Sequence, residues 1–202
     1  MDSRSRSGFT LVEVLISLTM LAIIMGGVVS TMTSMQRGYI RQREVARSED
    51  ALRVAELTIT RILQTAGSNP LNMAAGAANS PRIDPYTAPF DSLRVVADFN
   101  PVNGATNDLL EDMLVYVLND TLFVRWQFGG VPAPVAFPVR SLLFQYDSAG
   151  TILTAPTGAL NAPGVIPRAA TRVRVTLQAP RHNRTNLLSR RDTWVYLRNR
   201  LR

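Results

Sequence analysis

Gly8-Phe9-Thr10-Leu11-Val12-Glu13 opens an apolar run that continues to Val29, and the reading of this stretch decides the fold. From Phe9 to Val29 the only charged residue is Glu13. A span of about 20 mostly apolar residues can cross a hydrocarbon core as a helix. An ionised acid at the centre of such a helix costs roughly 2.5–3.5 kcal/mol, and less near its end, so Glu13 asks for a reason. Ahead of the run stands a polar leader, residues 1–8, carrying Arg4, Arg6 and Asp2. An ordinary secretory signal has an apolar centre of about 7–15 residues and a small-residue cleavage site behind it. Here the run is longer, and Gly26-Gly27-Val28-Val29-Ser30 matches such a site poorly. A plain single-pass anchor fits the length but leaves the placement of Glu13, close behind a Gly–Phe junction, without an account.

At 202 residues the chain has room for one compact domain plus an anchor. Cysteine is absent, so no disulfide or thiolate metal site is available, and a domain outside the cytoplasm must hold together by packing. The formal charge is +7 and every basic residue is arginine, which looks more like a genome bias than a functional choice. A positive balance suits nucleic acid or acidic surfaces only if the charges gather in one place.

Beyond Val29 the polarity rises while a helical period persists. Val45, Ser48, Leu52, Ala55, Ile59, Ile62 and Ala66 recur at steps of three and four, the seam of an amphipathic helix, which Leu57 and Leu63 are expected to widen. No proline precedes Pro70, and Gly67-Ser68-Asn69-Pro70 supplies a stop. One helix of about 58 residues, about 85 Å long, is predicted over 9–66. Gly26-Gly27 is its soft point, serving either local unwinding or close packing against another helix. Residues 68–92, rich in Ala, Asn, Pro and Gly, read as a long surface loop. From Leu93 the period changes to two. Strands are predicted at 93–97, 113–118, 121–128, 139–146, 172–177 and 193–198, with Asn119-Asp120 as a tight hairpin turn. Leu122 and Val124, then Leu142, Phe144 and Tyr146, then Val173, Val175 and Leu177 mark the inward faces. Residues 148–167 read as an irregular excursion. The expectation is an α+β fold, with a head formed by an antiparallel sheet that has one face on the helix.

A basic leader, then Gly, then Phe-Thr-Leu-Val-Glu at the head of a long apolar helix resembles the class III signal of type IV pilins and type II secretion pseudopilins. The resemblance implies the type IV pilin fold, with a leader at 1–8, a membrane or filament-core half at 9–35, an amphipathic half at 36–66 and a β-rich head at 67–202. It also implies cleavage after Gly8, methylation of the new terminus at Phe9, and an assembly role for Glu13 opposite the Phe9 amine of a neighbouring subunit. The implied partners are a prepilin peptidase/N-methyltransferase, other minor pilins, the major pilin and an inner-membrane assembly platform. Location would be the inner membrane, head outward, and then a filament. Ile62-Leu63-Gln64-Thr65-Ala66-Gly67, the hairpin 114–125, the strand 141–147 and Tyr196-Leu197-Arg198-Asn199 resemble the branch of the minor pilin PilW and the minor pseudopilin PulJ (GspJ). That branch implies a structural subunit of a pilus initiation or tip complex, or alternatively of a secretion pseudopilus. A single-pass anchored domain that never polymerises is a third reading, supported if the leader stays uncleaved.

No enzyme is expected. His182 is the only histidine, no spacing suggests zinc, no Gly-rich phosphate cradle follows a strand, and no cofactor is implied. The C-terminal arginines offer a different class of function. Arg181, Arg184, Arg190 and Arg191, with Trp194 and Tyr196 nearby, could contact nucleic acid or another surface. The blander reading is a solvated edge strand whose charges discourage aggregation. Pairing of these arginines with carboxylates such as Asp91, Asp98 or Asp192 would remove most of the basis for nucleic-acid binding.

Overall fold

Helix α1 runs Leu11–Thr65 in the computed structural model, without interruption at Gly26 or Gly27. The structure describes residues 10–66, 68, 82–85, 91–98, 111–126, 130–148, 150–153, 170–180 and 188–197. The chain divides into two compact units, Met1–Arg43 and Glu44–Arg202. In the first unit every described residue of α1 is exposed, including Leu11 at 80% and Ile23 at 75%. In the second, Ser48, Ala51, Leu52, Ala55, Ile59, Ile62 and Leu63 are buried. These positions fall on one side of the helix at about 100° per residue, and Ala66 continues them. Leu57 does not widen the seam as expected. It stands about 140° from Leu52 around the axis and remains 62% exposed. Leu63, in contrast, is fully buried.

Nine strands follow among the described residues: β1 Arg82–Pro85, β2 Ser92–Val96, β3 Asp112–Leu118, β4 Thr121–Arg125, β5 Ala133–Ala136, β6 Ser141–Ser148, β7 Thr151–Leu153, β8 Arg172–Pro180 and β9 Leu188–Tyr196. All described pairings are antiparallel, as expected, but the strands form two sheets. One has the order β1-β2-β3-β4-β5 and the other β7-β6-β8-β9. The changeover occurs between two adjacent residues. Val139 donates its N–H to the Asp120 carbonyl at the β3–β4 turn (2.8 Å), and Arg140 donates to Gln178 of β8 (2.8 Å). Consecutive peptide groups thus serve different sheets. The β3–β4 connection is the predicted two-residue turn. Asn119 and Asp120 have φ of 50° and 55°, the pair of left-handed residues that a type I′ hairpin requires. Asn and Asp tolerate that region better than other residues with a Cβ.

Three strands were not predicted. β1 interrupts the expected 68–92 loop, β7 interrupts the 148–167 excursion, and β5 lies between predicted strands. β1 and β5 are the two edges of the first sheet, and they contain Pro85 and Pro134. Proline has no N–H for a ladder and is accommodated at edges. The core is one cluster in which the α1 stripe meets Leu93 and Val95, Met113 and Val115, Leu122 and Val124, Leu142, Phe144 and Tyr146, and Val173, Val175 and Leu177. Burying a Leu or Ile side chain contributes about 1.5–3 kcal/mol relative to leaving it in water. The second half of α1 is therefore part of the head's interior.

Candidate functional site

The first turn of α1 begins at Thr10. Its hydroxyl accepts a hydrogen bond from the backbone N–H of Glu13 (3.3 Å), and its carbonyl accepts from the N–H groups of Glu13 (3.1 Å) and Val14 (3.3 Å). Thr10 is thus the N-cap and Glu13 the third helical residue, the Thr-x-x-Glu spacing of a capping box. This role was missed in the sequence, where the spacing was visible. It places the carboxylate at the positive end of the helix dipole. The Glu13 side chain is exposed, and among the described residues it has no bonding partner within the chain. Gly8 and Phe9, the predicted processing residues, lie outside the described residues. Deeper in the helix, Ser17, Thr19, Thr31 and Thr33 turn their hydroxyls back onto carbonyls three or four residues earlier, at 2.7–2.9 Å. Each thereby satisfies its polar group within the helix, as an apolar solvent demands. The segment is the one helix among the described residues long and apolar enough to cross a membrane.

The C-terminal arginines resolve differently. Arg190 and Arg191 are neighbours in β9, and successive strand residues face opposite sides of a sheet. Arg190 donates to Asp192 on the outer face (2.9 and 3.3 Å). Arg191 pairs with Glu56 of α1 on the inner side (2.5 Å), where the Thr193 hydroxyl also bonds Glu56. The structure brings neither arginine together with the other. Arg181, Arg184 and His182 lie outside the described residues. Of the carboxylates proposed as partners, Asp192 takes that role for Arg190; Glu56 was not anticipated.

The outer face of β8 and β9 carries a network that the sequence reading did not assemble. Asp147 accepts from Arg172 (2.9 and 3.3 Å) and from the backbone N–H of Gly150 (3.1 Å). The Arg172 guanidinium beside it holds the Asp147 carboxyl below its ordinary value against the opposing effect of burial. Arg172 also stacks on Trp194, 4.4 Å from the ring centre, and Arg174 approaches the same ring at 5.7 Å. Asp192 joins Thr176 (2.6 Å), Arg174 (3.3 Å) and Arg190 (2.9 Å). Burial pushes its carboxyl up, but the Thr176 hydroxyl and the Arg190 and Arg174 guanidinium groups outweigh it and hold the carboxyl low. The signal available beforehand was the outward alternation of Arg172 and Arg174. What it lacked was the strand that brings Asp192 opposite Thr176.

With this geometry in view, residues 3–29 match the family model described as the prokaryotic N-terminal methylation motif. The match covers the junction at Gly8-Phe9, the capped first turn and Glu13, and it ends at Val29. It supports a type IV pilin-like or pseudopilin family and a subunit that is processed at its N-terminus. Chains bearing this motif are generally structural rather than enzymatic. Among curated proteins none matches this chain. The exposed apolar helix together with the motif fits membrane anchoring and a filament.

Proposed function

We propose that this chain is a non-catalytic subunit of a type IV pilus, a minor pilin of the PilW/PulJ kind that helps initiate or cap the filament. A prepilin peptidase cuts after Gly8 and methylates Phe9. The apolar half, 9–35, holds the subunit in the inner membrane with its head outside the cytoplasm, and later packs among the helices of other minor pilins and the major pilin. The amphipathic half, 36–66, carries the head, 67–202. The observation that carries this reading is the coincidence of two features at one place. The methylation motif at 3–29 opens a helix whose first part is apolar and exposed throughout. A helix left bare within its own chain needs an apolar surround, first lipid and then neighbouring helices. Glu13, without a side-chain partner among the described residues, is available to the Phe9 amine of a neighbour. In the head, pairing with Asp192 and Glu56 already satisfies Arg190 and Arg191, which weighs against nucleic acid as their ligand.

Mass spectrometry of the membrane fraction tests the reading. The mature chain is expected to begin at methylated Phe9, and replacing Gly8 by a bulky residue is expected to retain the leader without preventing insertion. A wild-type chain still beginning at Met1, in cells with an active peptidase, would remove the claim.

A further inference from the structure

Between Glu13 and Arg37 no residue of α1 carries a charge. Then Arg37, Arg41 and Arg43 place three guanidinium groups in less than two turns, with no acid among them. All three are exposed, and among the described residues none has an ion-pair partner. This contrasts with the head, where Arg94, Arg172, Arg174, Arg190 and Arg191 are all paired with carboxylates. The uncharged segment from Val14 to Gln36 is about 34 Å long at ~1.5 Å per residue, a little more than a hydrocarbon core of about 30 Å. When that segment lies in lipid, Arg37 emerges at the far interface, and Arg43 follows about 10 Å beyond Gln36 along the helix axis. Tyr39, 72% exposed, lies between them, and tyrosine favours the headgroup level.

At about 100° per residue the three arginines spread over roughly 160° of the helix circumference. Arg37 and Arg41 lie about 40° apart, and Arg43 stands about 120° from Arg37 on the other flank. Headgroups surround a helix, and guanidinium forks suit their phosphate oxygens. The orientation sharpens the point. With the head outside the cytoplasm, as proposed above, these arginines sit where basic residues flanking a span are usually depleted. On the other side, residues 1–8 carry two arginines, Arg4 and Arg6, against these three. Charge alone therefore works against the required orientation, so the arginines ask for a compensating use.

We infer that Arg37, Arg41 and Arg43 form a collar that binds the phosphates of anionic phospholipid headgroups in the outer leaflet, setting the depth of the subunit before assembly. The inference rests on α1 spanning the membrane. Binding is reversible and weakens with salt, so the subunit can still leave for a filament.

The test uses the full chain reconstituted into phosphatidylcholine vesicles with and without phosphatidylglycerol. Native mass spectrometry then counts the lipids retained. The wild type is expected to retain phosphatidylglycerol in preference to phosphatidylcholine. The combined variant Arg37→Gln, Arg41→Gln, Arg43→Gln is expected to lose that preference by on the order of 100-fold, from the usual contribution of each basic residue at an anionic surface. Arg53→Gln, an exposed arginine of the same helix beyond the collar, is expected to retain it. Circular dichroism checks that the helix persists in each variant. Equal preference in the wild type and the combined variant would overturn the collar, as would an equal loss in Arg53→Gln. Unchanged lipid preference with reduced co-isolation of other subunits would assign the arginines to a protein contact and overturn it too. Alkaline carbonate separates the two levels of claim. A wild-type chain released by it defeats the membrane span itself, whereas a chain that stays without lipid preference defeats the collar alone.

Discussion

Replacing Leu52 by alanine in a fragment spanning 36–202 asks whether the second half of α1 belongs to the head's core. Leu52 is fully buried, in one cluster with the facing strands. Truncating such a side chain removes its transfer free energy and leaves a cavity, a loss of about 2–5 kcal/mol. For a domain of this size each 1 kcal/mol moves the melting temperature by roughly 2–4 °C, so a drop of about 4–20 °C is expected. Leu57 supplies the internal control. It lies on the same helix, has the same chemistry, and is 62% exposed. Its replacement by alanine is expected to stay within about 0.5 kcal/mol. The assay is thermal and urea unfolding of both variants followed by circular dichroism, with the urea slope used to confirm that the same surface unfolds. Equal effects at the two positions, or no effect at Leu52, would refute the assignment of this half-helix to the interior.

Glu56→Gln weakens the link from α1 to Arg191 and Thr193. The pair is partly exposed, so a loss of roughly 0.5–1.5 kcal/mol in urea unfolding is expected, and a loss comparable to Leu52→Ala would contradict that estimate. The head is expected to lose stability in acid. Asp147 and Asp192 have carboxyls held below the ordinary 3.8, so folding favours their charged forms. Their contribution is complete above that value and disappears as pH falls through the lower folded values, so melting should hold down to about pH 5 and decline below about pH 4. A variant carrying Asp147→Asn and Asp192→Asn with an unchanged acid limb would show that other carboxylates cause the decline. Glu13→Gln is expected to leave processing, insertion and the head intact while lowering recovery in sheared filaments; wild-type recovery would show that the subunit joins by apolar packing alone.

The long helix and its buried stripe were legible because one period persists from Val45 to Ala66 and nothing before Gly67 breaks it. The β3–β4 hairpin was legible from Asn119-Asp120, set between a continuous apolar strand and an alternating one. The edge strands were not, because Pro85 and Pro134 signal a break, and only the finished sheet shows that they occupy its rims. The division into two sheets was hidden as well. Val139 and Arg140 look alike in a pattern of alternating residues, yet their N–H groups serve different ladders. The arginines were legible only in part. The sequence offered Asp192 as a carboxylate partner and an edge strand as the blander setting, but with the last strand started at 193 it did not show that β9 begins at Leu188 and turns Arg190 and Arg191 to opposite faces. The link to Glu56 joins residues far apart in the chain, and local pattern holds no trace of it. At the other end, Thr10 and Glu13 offered a capping signal that the apolar run overshadowed.

Every ion pair described in the head, from Arg94–Asp112 to Arg191–Glu56, draws its cation from arginine, and these 202 residues contain no lysine. To amine-directed chemistry the head is therefore blank. Amine-directed acylating labels and lysine-specific cross-linkers find no side-chain amine to attach to, and trypsin cuts only after arginine. An acylated amine within these residues can only be a chain terminus, so one labelling reaction distinguishes a free terminus from one enclosed among neighbouring helices.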